Sequence, residues 1–279
     1  MKTTSSSLLL ISLFVVFLPL LLCFSGAARA NPHPLAFTYP SETLAKEAVE
    51  LEQYIDVTPV RSIDAVNGAN VWFPRTVLTT ELEIGLTDRL ELGLYLAFET
   101  DTGNGLGVNP LRLDGTKQRL RYRLCDPGAW PVDVALYLEV AELYDELELE
   151  GKIILQRRFG RLRAMVNLWG EREFYFSGDR EWVVNPTGGL TMELTPSWHL
   201  GIESWMHAEY GTHATTNNSP AVADINREPV VYVGPDLMWQ RGRTWVTVAP
   251  YVRLDHLDRA SRQQDLYGRF FVRMIVGFE

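Results

Sequence analysis

The stretch Asp88–Thr100, DRLELGLYLAFET, alternates between two kinds of side chain. Five large apolar residues share one parity, from Leu90 to Phe98, while the other parity carries Glu91, Gly93, Tyr95, Ala97 and Glu99. Successive side chains of a β-strand point to opposite faces, so a period of two indicates a strand. The stretch therefore predicts a strand with one apolar face and one mainly polar face.

The same alternation recurs along the chain after residue 30, and it indicates an all-β, antiparallel protein of about twelve strands. Pro186 and Gly188-Gly189 interrupt the eighth of these strands, and the first is also weak. The predicted strands are 46–57, 75–86, 88–100, 116–125, 131–143, 146–158, 162–176, 182–194, 198–210, 228–240, 244–256 and 265–278.

Strand length and connection length decide between a soluble sandwich and a membrane barrel, because the strands of both folds show the same alternation of apolar and polar residues. The predicted strands have about 10–14 residues, whereas globular strands cluster near five or six and a tilted membrane span needs about 9–11. Tight turns such as Thr87-Asp88 and Arg241-Gly242-Arg243 alternate with several long polar connections. Short periplasmic turns and long outer loops are typical of transmembrane β-barrels. Aromatic residues near strand ends, including Trp198 and Trp239, suit the membrane interface.

The first 30 residues have the features of a secretory signal peptide. Lys2 precedes an almost unbroken apolar run from Leu8 to Phe24, and Ala28-Arg29-Ala30 fits a cleavage site. An uncleaved membrane anchor is the alternative interpretation. The predicted organisation is a signal peptide at 1–30, a periplasmic N-terminal arm at 31–44 and a transmembrane barrel at 45–279. The proline-rich part of the arm, Asn31–Ser41, is either such an arm or a short plug.

The overall composition excludes several other classes of protein. A hydrophobic fraction of 46% excludes a disordered chain, and a net charge of −9 provides no basic surface for nucleic acid. Cleavage after Ala30 would remove Cys23 and leave Cys125 alone, so no intramolecular disulfide is expected. No cofactor is expected either.

A resemblance to a known group of proteins supports this interpretation. The segment Glu83–Leu96, EIGLTDRLELGLYL, resembles a strand–Thr-Asp–strand hairpin of Gram-negative outer-membrane β-barrels. These include uncharacterised barrels and barrels classed as transporters, among them the meta-pathway phenol-degradation type. The resemblance implies an outer-membrane barrel with lipid around it, whose C-terminal strand binds the barrel-assembly machinery. It carries over no catalytic residue, and it leaves the oligomeric state open.

Charged residues of the inward parity are the candidates for lining a pore. Rows of acidic and basic residues on neighbouring strands either brace a narrow barrel or form a charged constriction, and the excess of acids would favour cations. The last strand is expected to set Arg269 and Arg273 beside Glu50 and Glu52 of the first. The candidates are Glu81, Glu83, Glu91, Glu99, Arg119, Arg121, Arg123, Asp133, Glu139, Glu171, Glu203, Arg253, Arg269 and Arg273.

Other chemistry has weaker support in the sequence. His207, Glu209 and His213 could share a cation, but solvated residues at the barrel mouth are the preferred interpretation, so no metal site is predicted. No Gly-x-Ser-x-Gly motif occurs, and we expect no enzymatic activity. The predicted function is passive passage of small solutes through an acidic lumen. A sealed structural barrel is the alternative, and an outer-membrane enzyme is a less favoured one.

Overall fold

Antiparallel hydrogen bonding joins the strands into one closed sheet. The computed structural model describes residues 31–63, 70–100, 111–212, 225–226, 229–254 and 268–279, so the predicted signal peptide lies outside the described residues. The strands are β1 Val49–Ile63, β2 Asn70–Gly85, β3 Leu90–Thr100, β4 Leu111–Arg123, β5 Asp133–Leu143, β6 Glu146–Phe159, β7 Leu162–Tyr175, β8 Arg180–Val184, β9 Thr187–Thr195, β10 Trp198–Thr212, β11 Ile225–Asn226, β12 Val230–Arg241, β13 Thr244–Arg253 and β14 Phe270–Phe278.

These strands fill twelve positions around the barrel. β8 and β9 pair with β7 and with β10 in one continuous register, so they form a single wall strand interrupted at Asn185-Pro186. The two residues of β11 extend the pairing of β10 beyond β12. β1 pairs with β14 from Leu51–Phe278 to Val57–Val272, which closes the sheet. The predicted twelve-stranded antiparallel barrel is confirmed.

The wall is apolar outside and polar inside, the reverse of a soluble protein. In β5, Leu138 is 66% exposed on the outer face, whereas its neighbour Tyr137 is 2% exposed in the interior. Fully buried charged residues such as Arg119 and Glu83 point inward. An outer surface of leucine, isoleucine and valine suits lipid, and many of the charged groups inside have ion-pair or hydrogen-bond partners. The described strands therefore form a transmembrane barrel.

The first hairpin is longer than the sequence predicts. Pairing of β1 with β2 continues as far as Ile63 and Asn70, with Pro59 opposite Pro74 in a region predicted to be a loop. The prolines are tolerated because the pairing of β1 with β14 ends at Val57, and that of β2 with β3 ends at Val77. Neither proline therefore has to donate a hydrogen bond to a third strand. Among the described residues, no helix is long and apolar enough to cross a membrane.

The segment before β1 lies inside the barrel. Leu35, Ala36, Phe37 and Thr38 are buried, and their contacts are with inward-facing residues of the wall. The segment leaves the lumen at the periplasmic end of the barrel, where the N–H of Glu47 donates to the carbonyl of Gly85. Residues 31–44, the predicted N-terminal arm, thus lie across the periplasmic (inner) half of the lumen.

Candidate functional site: the barrel lumen

Acidic side chains of the wall hold the backbone of the N-terminal segment. The N–H of Ala36 donates to Oδ1 of Asp236 at 3.0 Å, and the N–H of Phe37 lies 3.1 and 3.2 Å from the two carboxylate oxygens of Glu203. Thr38 also donates its N–H to Glu203. An extended segment has unpaired N–H groups, and a buried N–H requires an acceptor. The lumen carboxylates therefore serve as those acceptors.

Neutral amides of β6 and β7 and an acid of β3 continue this attachment around the barrel. The N–H of Tyr39 donates to Oδ1 of Asn167 at 2.7 Å, and that of Ser41 to Oε1 of Gln156 at 3.3 Å. Oε2 of Glu91 accepts the N–H of Leu44 at 2.7 Å. The segment is therefore anchored to strands on both sides of the lumen.

Two wall glycines form a notch for Leu35. A Cβ at Gly189 or at Gly201 would lie 2.7 Å from a terminal methyl group of Leu35, well inside contact distance. Leu35 itself is completely buried. A larger side chain in the notch would force the methyl groups of Leu35 to move, so these glycines are part of the docking surface.

Aromatic residues surround Phe37 on the β10–β14 side of the lumen. Its ring stacks on Trp205 with centroids 4.6 Å apart and meets Tyr251 and Phe271 edge-on at 5.3 and 5.9 Å. The guanidinium carbon of Arg273 lies 3.6 Å from the centre of the Phe37 ring. Aromatic and cation–π contacts of this kind each contribute about 0.5–1.5 kcal/mol beyond burial. Phe37 thus anchors the segment in an aromatic cluster of the wall.

Arginines of β4 bind the acids of β2 and β3, as the sequence suggests. Arg119 lies 2.7 Å from Glu81 and 2.8 Å from Glu91, and it also pairs with Glu83. Arg121 lies 2.7 Å from Glu91. All of these side chains are fully buried, and the three contacts of Arg119 all come from its Nη2 atom.

Gly93 makes this arrangement possible. It lies opposite Arg119 in the register of β3 and β4, and a Cβ on it would lie 2.5 Å from Nε of Arg119 and 2.7 Å from Glu81. The missing side chain lets the guanidinium lie flat across β3 and reach β2. A glycine is therefore required at this position, because the side chain of Arg119 passes close to the backbone of β3.

A cavity of about 350 Å³ occupies the outer half of the lumen. Phe37 and Tyr39 of the N-terminal segment contribute to its lining, and so do residues close to the outer strand ends, such as Leu143 and Glu173. Acidic and aromatic residues dominate the rest of its wall, among them Glu99, Glu139, Glu148, Glu150, Glu171, Tyr54, Tyr95, Tyr137, Trp169 and Trp205. The cavity can hold water or a small polar solute above the segment.

Lys152 sits among aromatic rings at the side of this cavity. Its Nζ lies 3.6 Å from the centre of the Trp169 ring, 4.1 Å from that of Tyr137 and 4.5 Å from that of Tyr39. Glu150 pairs with the same ammonium at 2.6 Å. The ammonium is therefore fixed in place by one carboxylate and three rings.

The remaining pore-lining candidates lie at different positions along the barrel axis. Glu99 pairs with Arg75 at 2.7 Å, Glu139 lies 3.2 Å from Nζ of Lys117, and Glu171 accepts a hydrogen bond from Asn185 at 2.6 Å. These side chains line the outer cavity. Other candidates lie at the ends of the barrel: Arg123 and Asp133 at the periplasmic end, and Arg253 and Arg269 at the outer end.

The expected partners of the last strand differ from those in the structure. Arg273 makes two hydrogen bonds to Asp56, at 2.6 and 2.7 Å, instead of reaching Glu50 or Glu52. The register of the closing pair sets Asp56 directly opposite Arg273 and Glu52 opposite Gly277. Register at a barrel seam depends on the stagger of the whole sheet, which alternation within one strand does not specify.

The predicted His–Glu group at the outer rim is a hydrogen-bonded chain. The ring nitrogens of His207 lie 2.7 Å from Oε1 of Glu209 and 2.6 Å from Oδ1 of Asn185. Asn185 in turn donates to Glu171. His213, the third member, lies outside the described residues.

His33 is a functional candidate that sequence analysis does not single out. Its ring stacks on Trp245 at 5.6 Å and meets Tyr39 edge-on at 5.0 Å. Burial and the guanidinium groups of Arg121 and Arg119 hold the pKa of His33 well below its usual value, so the imidazole is neutral. Its position follows from the fold of the segment, and the only sequence signal is a histidine between two prolines.

Two solved structures share this fold. An outer membrane channel from Pseudomonas putida F1 aligns with a TM-score of 0.59 and 11% identity, over 85% of this chain and 97% of its own. The NanC porin aligns with a TM-score of 0.54 and 11% identity, over 83% of this chain and 100% of its own. No protein-family model and no curated protein matches the sequence. At this level of identity the likeness concerns the fold, and it confirms the barrel type implied by the sequence resemblance.

Proposed function

We propose that the protein is an outer-membrane channel for small polar solutes, in which residues 31–44 form a removable barrier. The observation that carries this proposal is the cavity of about 350 Å³ in the outer half of the lumen. Phe37 and Tyr39 border it on the side of the segment. Solute would enter this cavity and pass to the periplasm when the segment leaves the inner half.

The charge of the lumen favours cations in this proposal. Among the strand residues whose burial the structure describes, fifteen acidic side chains are buried, against three basic ones, Arg119, Arg121 and Lys152. Rings of carboxylates attract cations and repel anions in a pore. Cations and cationic solutes are thus the expected cargo.

The attachment of the segment is compatible with release. Its contacts with the wall are hydrogen bonds, side-chain packing and ion pairs of Glu42 with Arg158 and Arg163, with no strand pairing from residues 31 to 48. Hydrogen bonds to water would replace the lost ones, so each contributes only about 0.5–3 kcal/mol net. The docked and released states could therefore exchange without unfolding of the wall.

Conductance in planar bilayers tests the proposal. We expect brief, cation-selective openings from the full mature chain and sustained current from a chain lacking residues 32–41. The reversal potential across a KCl gradient measures the selectivity. Current that favours anions would contradict the acidic lumen.

A sealed barrel is the second candidate, and the filled inner half of the lumen is the observation that favours it. A folded chain without residues 32–41 that passes no current would establish this alternative. An outer-membrane enzyme would instead turn over lipid or peptide, and one substitution at the rim would abolish that turnover.

Assembly and location form part of the same proposal. The outer apolar face contacts outer-membrane lipid, and we infer that the barrel-assembly machinery recognises β14, which closes the barrel against β1. Substituting Phe270 or Phe278 should then reduce insertion in cells more than spontaneous insertion into vesicles.

A further inference from the structure

We propose that His33, Glu52 and Glu83 bind one divalent transition-metal cation, which fastens the N-terminal segment to β1 and β2. The three residues come from the segment and from the neighbouring strands β1 and β2. One ligand atom from each lies within 4.8 Å of the other two. All three side chains are buried, with exposures of 1%, 0% and 0%.

Each of the three side chains has a buried polar atom without a hydrogen-bond partner. Nε2 of His33, Oε1 of Glu52 and Oε2 of Glu83 have no hydrogen-bond partner among the described residues. Nε2 and Oε1 are 3.8 Å apart, too far for a hydrogen bond. A buried polar atom without a partner costs about 1–3 kcal/mol, and three such atoms in one place point to an absent ligand.

The other atoms of these residues are already held in position. Glu52 accepts from the hydroxyl of Tyr54 through Oε2, and Glu83 pairs with Arg119 through Oε1. The ring of His33 lies between Tyr39 and Trp245. Such outer contacts orient metal ligands and leave the coordinating atoms free.

The acidic residues at this corner of the lumen favour a cation there. The register sets Glu50 opposite Glu83 and Glu52 opposite Glu81, and like charges directly opposite each other destabilise a sheet. Together with Glu91 of β3, these residues make five carboxylates. Arg119 and Arg121 neutralise two of the five.

The predicted N-terminal ammonium would neutralise one more carboxylate. After cleavage at Ala30 the nitrogen of Asn31 becomes that ammonium, and it lies 3.0 Å from Glu50. Two carboxylates remain without a counter-charge, which equals the charge of one divalent cation.

Ligand chemistry selects the type of metal. Imidazole nitrogen with two carboxylate oxygens suits Zn²⁺ and its transition-metal neighbours, whereas Ca²⁺ and Mg²⁺ prefer oxygen alone. With bonds near 2 Å, tetrahedral ligand atoms lie about 3.4 Å apart. The separation of 3.8 Å between His33 and Glu52 would need to close by about 0.4 Å. A water would complete the coordination shell.

Calorimetry with ZnCl₂ tests this site on tag-free, full mature protein folded in detergent and treated with EDTA. The wild type should bind one Zn²⁺ per chain. His33→Gln and Glu52→Gln should each weaken binding at least about 100-fold, because even outer-contact residues change affinity 10- to 100-fold. The control is His207→Gln, which alters the other His–Glu pair and should bind like the wild type.

X-ray absorption of the zinc-loaded wild type provides a second measurement that needs no variant. It should show one imidazole among oxygen ligands. Failure of the wild type to bind zinc, unchanged binding in His33→Gln, or a zinc shell without imidazole would each overturn the site. Because no current is measured, a chain that never conducts can pass this test, and a conducting chain can fail it.

Discussion

Replacing Glu203 by glutamine should open the lumen. Glu203 is fully buried in β10, and its two carboxylate oxygens accept the N–H groups of Phe37 and Thr38 and the hydroxyl of Tyr251. The amide has nearly the same size but no charge, and one of its two acceptors becomes a donor facing N–H groups. The substitution therefore weakens the docking of the segment and leaves the volume of the wall unchanged.

The size of the effect follows from the two backbone contacts. A hydrogen bond to a charged group contributes about 1.5–3 kcal/mol, against about 0.5–1.5 kcal/mol for a neutral one. Two weakened contacts thus reduce the docking free energy by about 2–3 kcal/mol. At 1.4 kcal/mol per factor of ten, the docking equilibrium shifts about 30- to 100-fold toward release.

Single-channel recording measures this shift as the fraction of time in the conducting state. Glu173→Gln is the matched control, since Glu173 lines the outer cavity and bonds to Tyr175 without touching the segment. Both variants replace one acidic side chain of the lumen by its amide, so the loss of docking distinguishes them. If Glu203→Gln conducts no more often than Glu173→Gln, while both migrate as folded barrels in unboiled gels, the segment is not the barrier.

Three further substitutions test the notch, the lipid face and the arginine cluster. Gly201→Ala should displace Leu35 at a cost of about 1–3 kcal/mol and raise the conducting fraction, and unchanged currents would contradict the notch. Leu138→Arg on the lipid face should destabilise the folded barrel by about 2–4 kcal/mol in urea titrations of vesicles, whereas Thr79→Arg in the cavity should cost far less. Equal effects would mean that the faces are assigned wrongly. Arg119→Leu leaves three buried carboxylates without their shared partner, so the same titration should show a loss of about 3–5 kcal/mol, and a stability equal to the wild type would refute this role.

Alternation, strand length and connection length together determined the architecture of the wall. Strand number and the direction of each face follow from them, and Arg119 and Arg121 meet the acids of β2 and β3 because consecutive strands are neighbours in the sheet. Adjacent strands joined by a tight turn must pair, so local pattern fixes these neighbours. The interruption of the eighth strand at Pro186 could also be predicted from the sequence, because proline lacks the N–H that pairing between strands needs.

Only the tertiary structure decided what fills the lumen. Residues 31–44 carry no periodic pattern, and their position comes from contacts with strands far along the chain, such as Glu203 and Asp236. The partner of Arg273 likewise depended on the stagger at the seam, which is a property of the closed sheet. His33 meets Glu52 and Glu83 for the same reason: closure of the barrel and docking of the segment bring together residues that no local spacing connects.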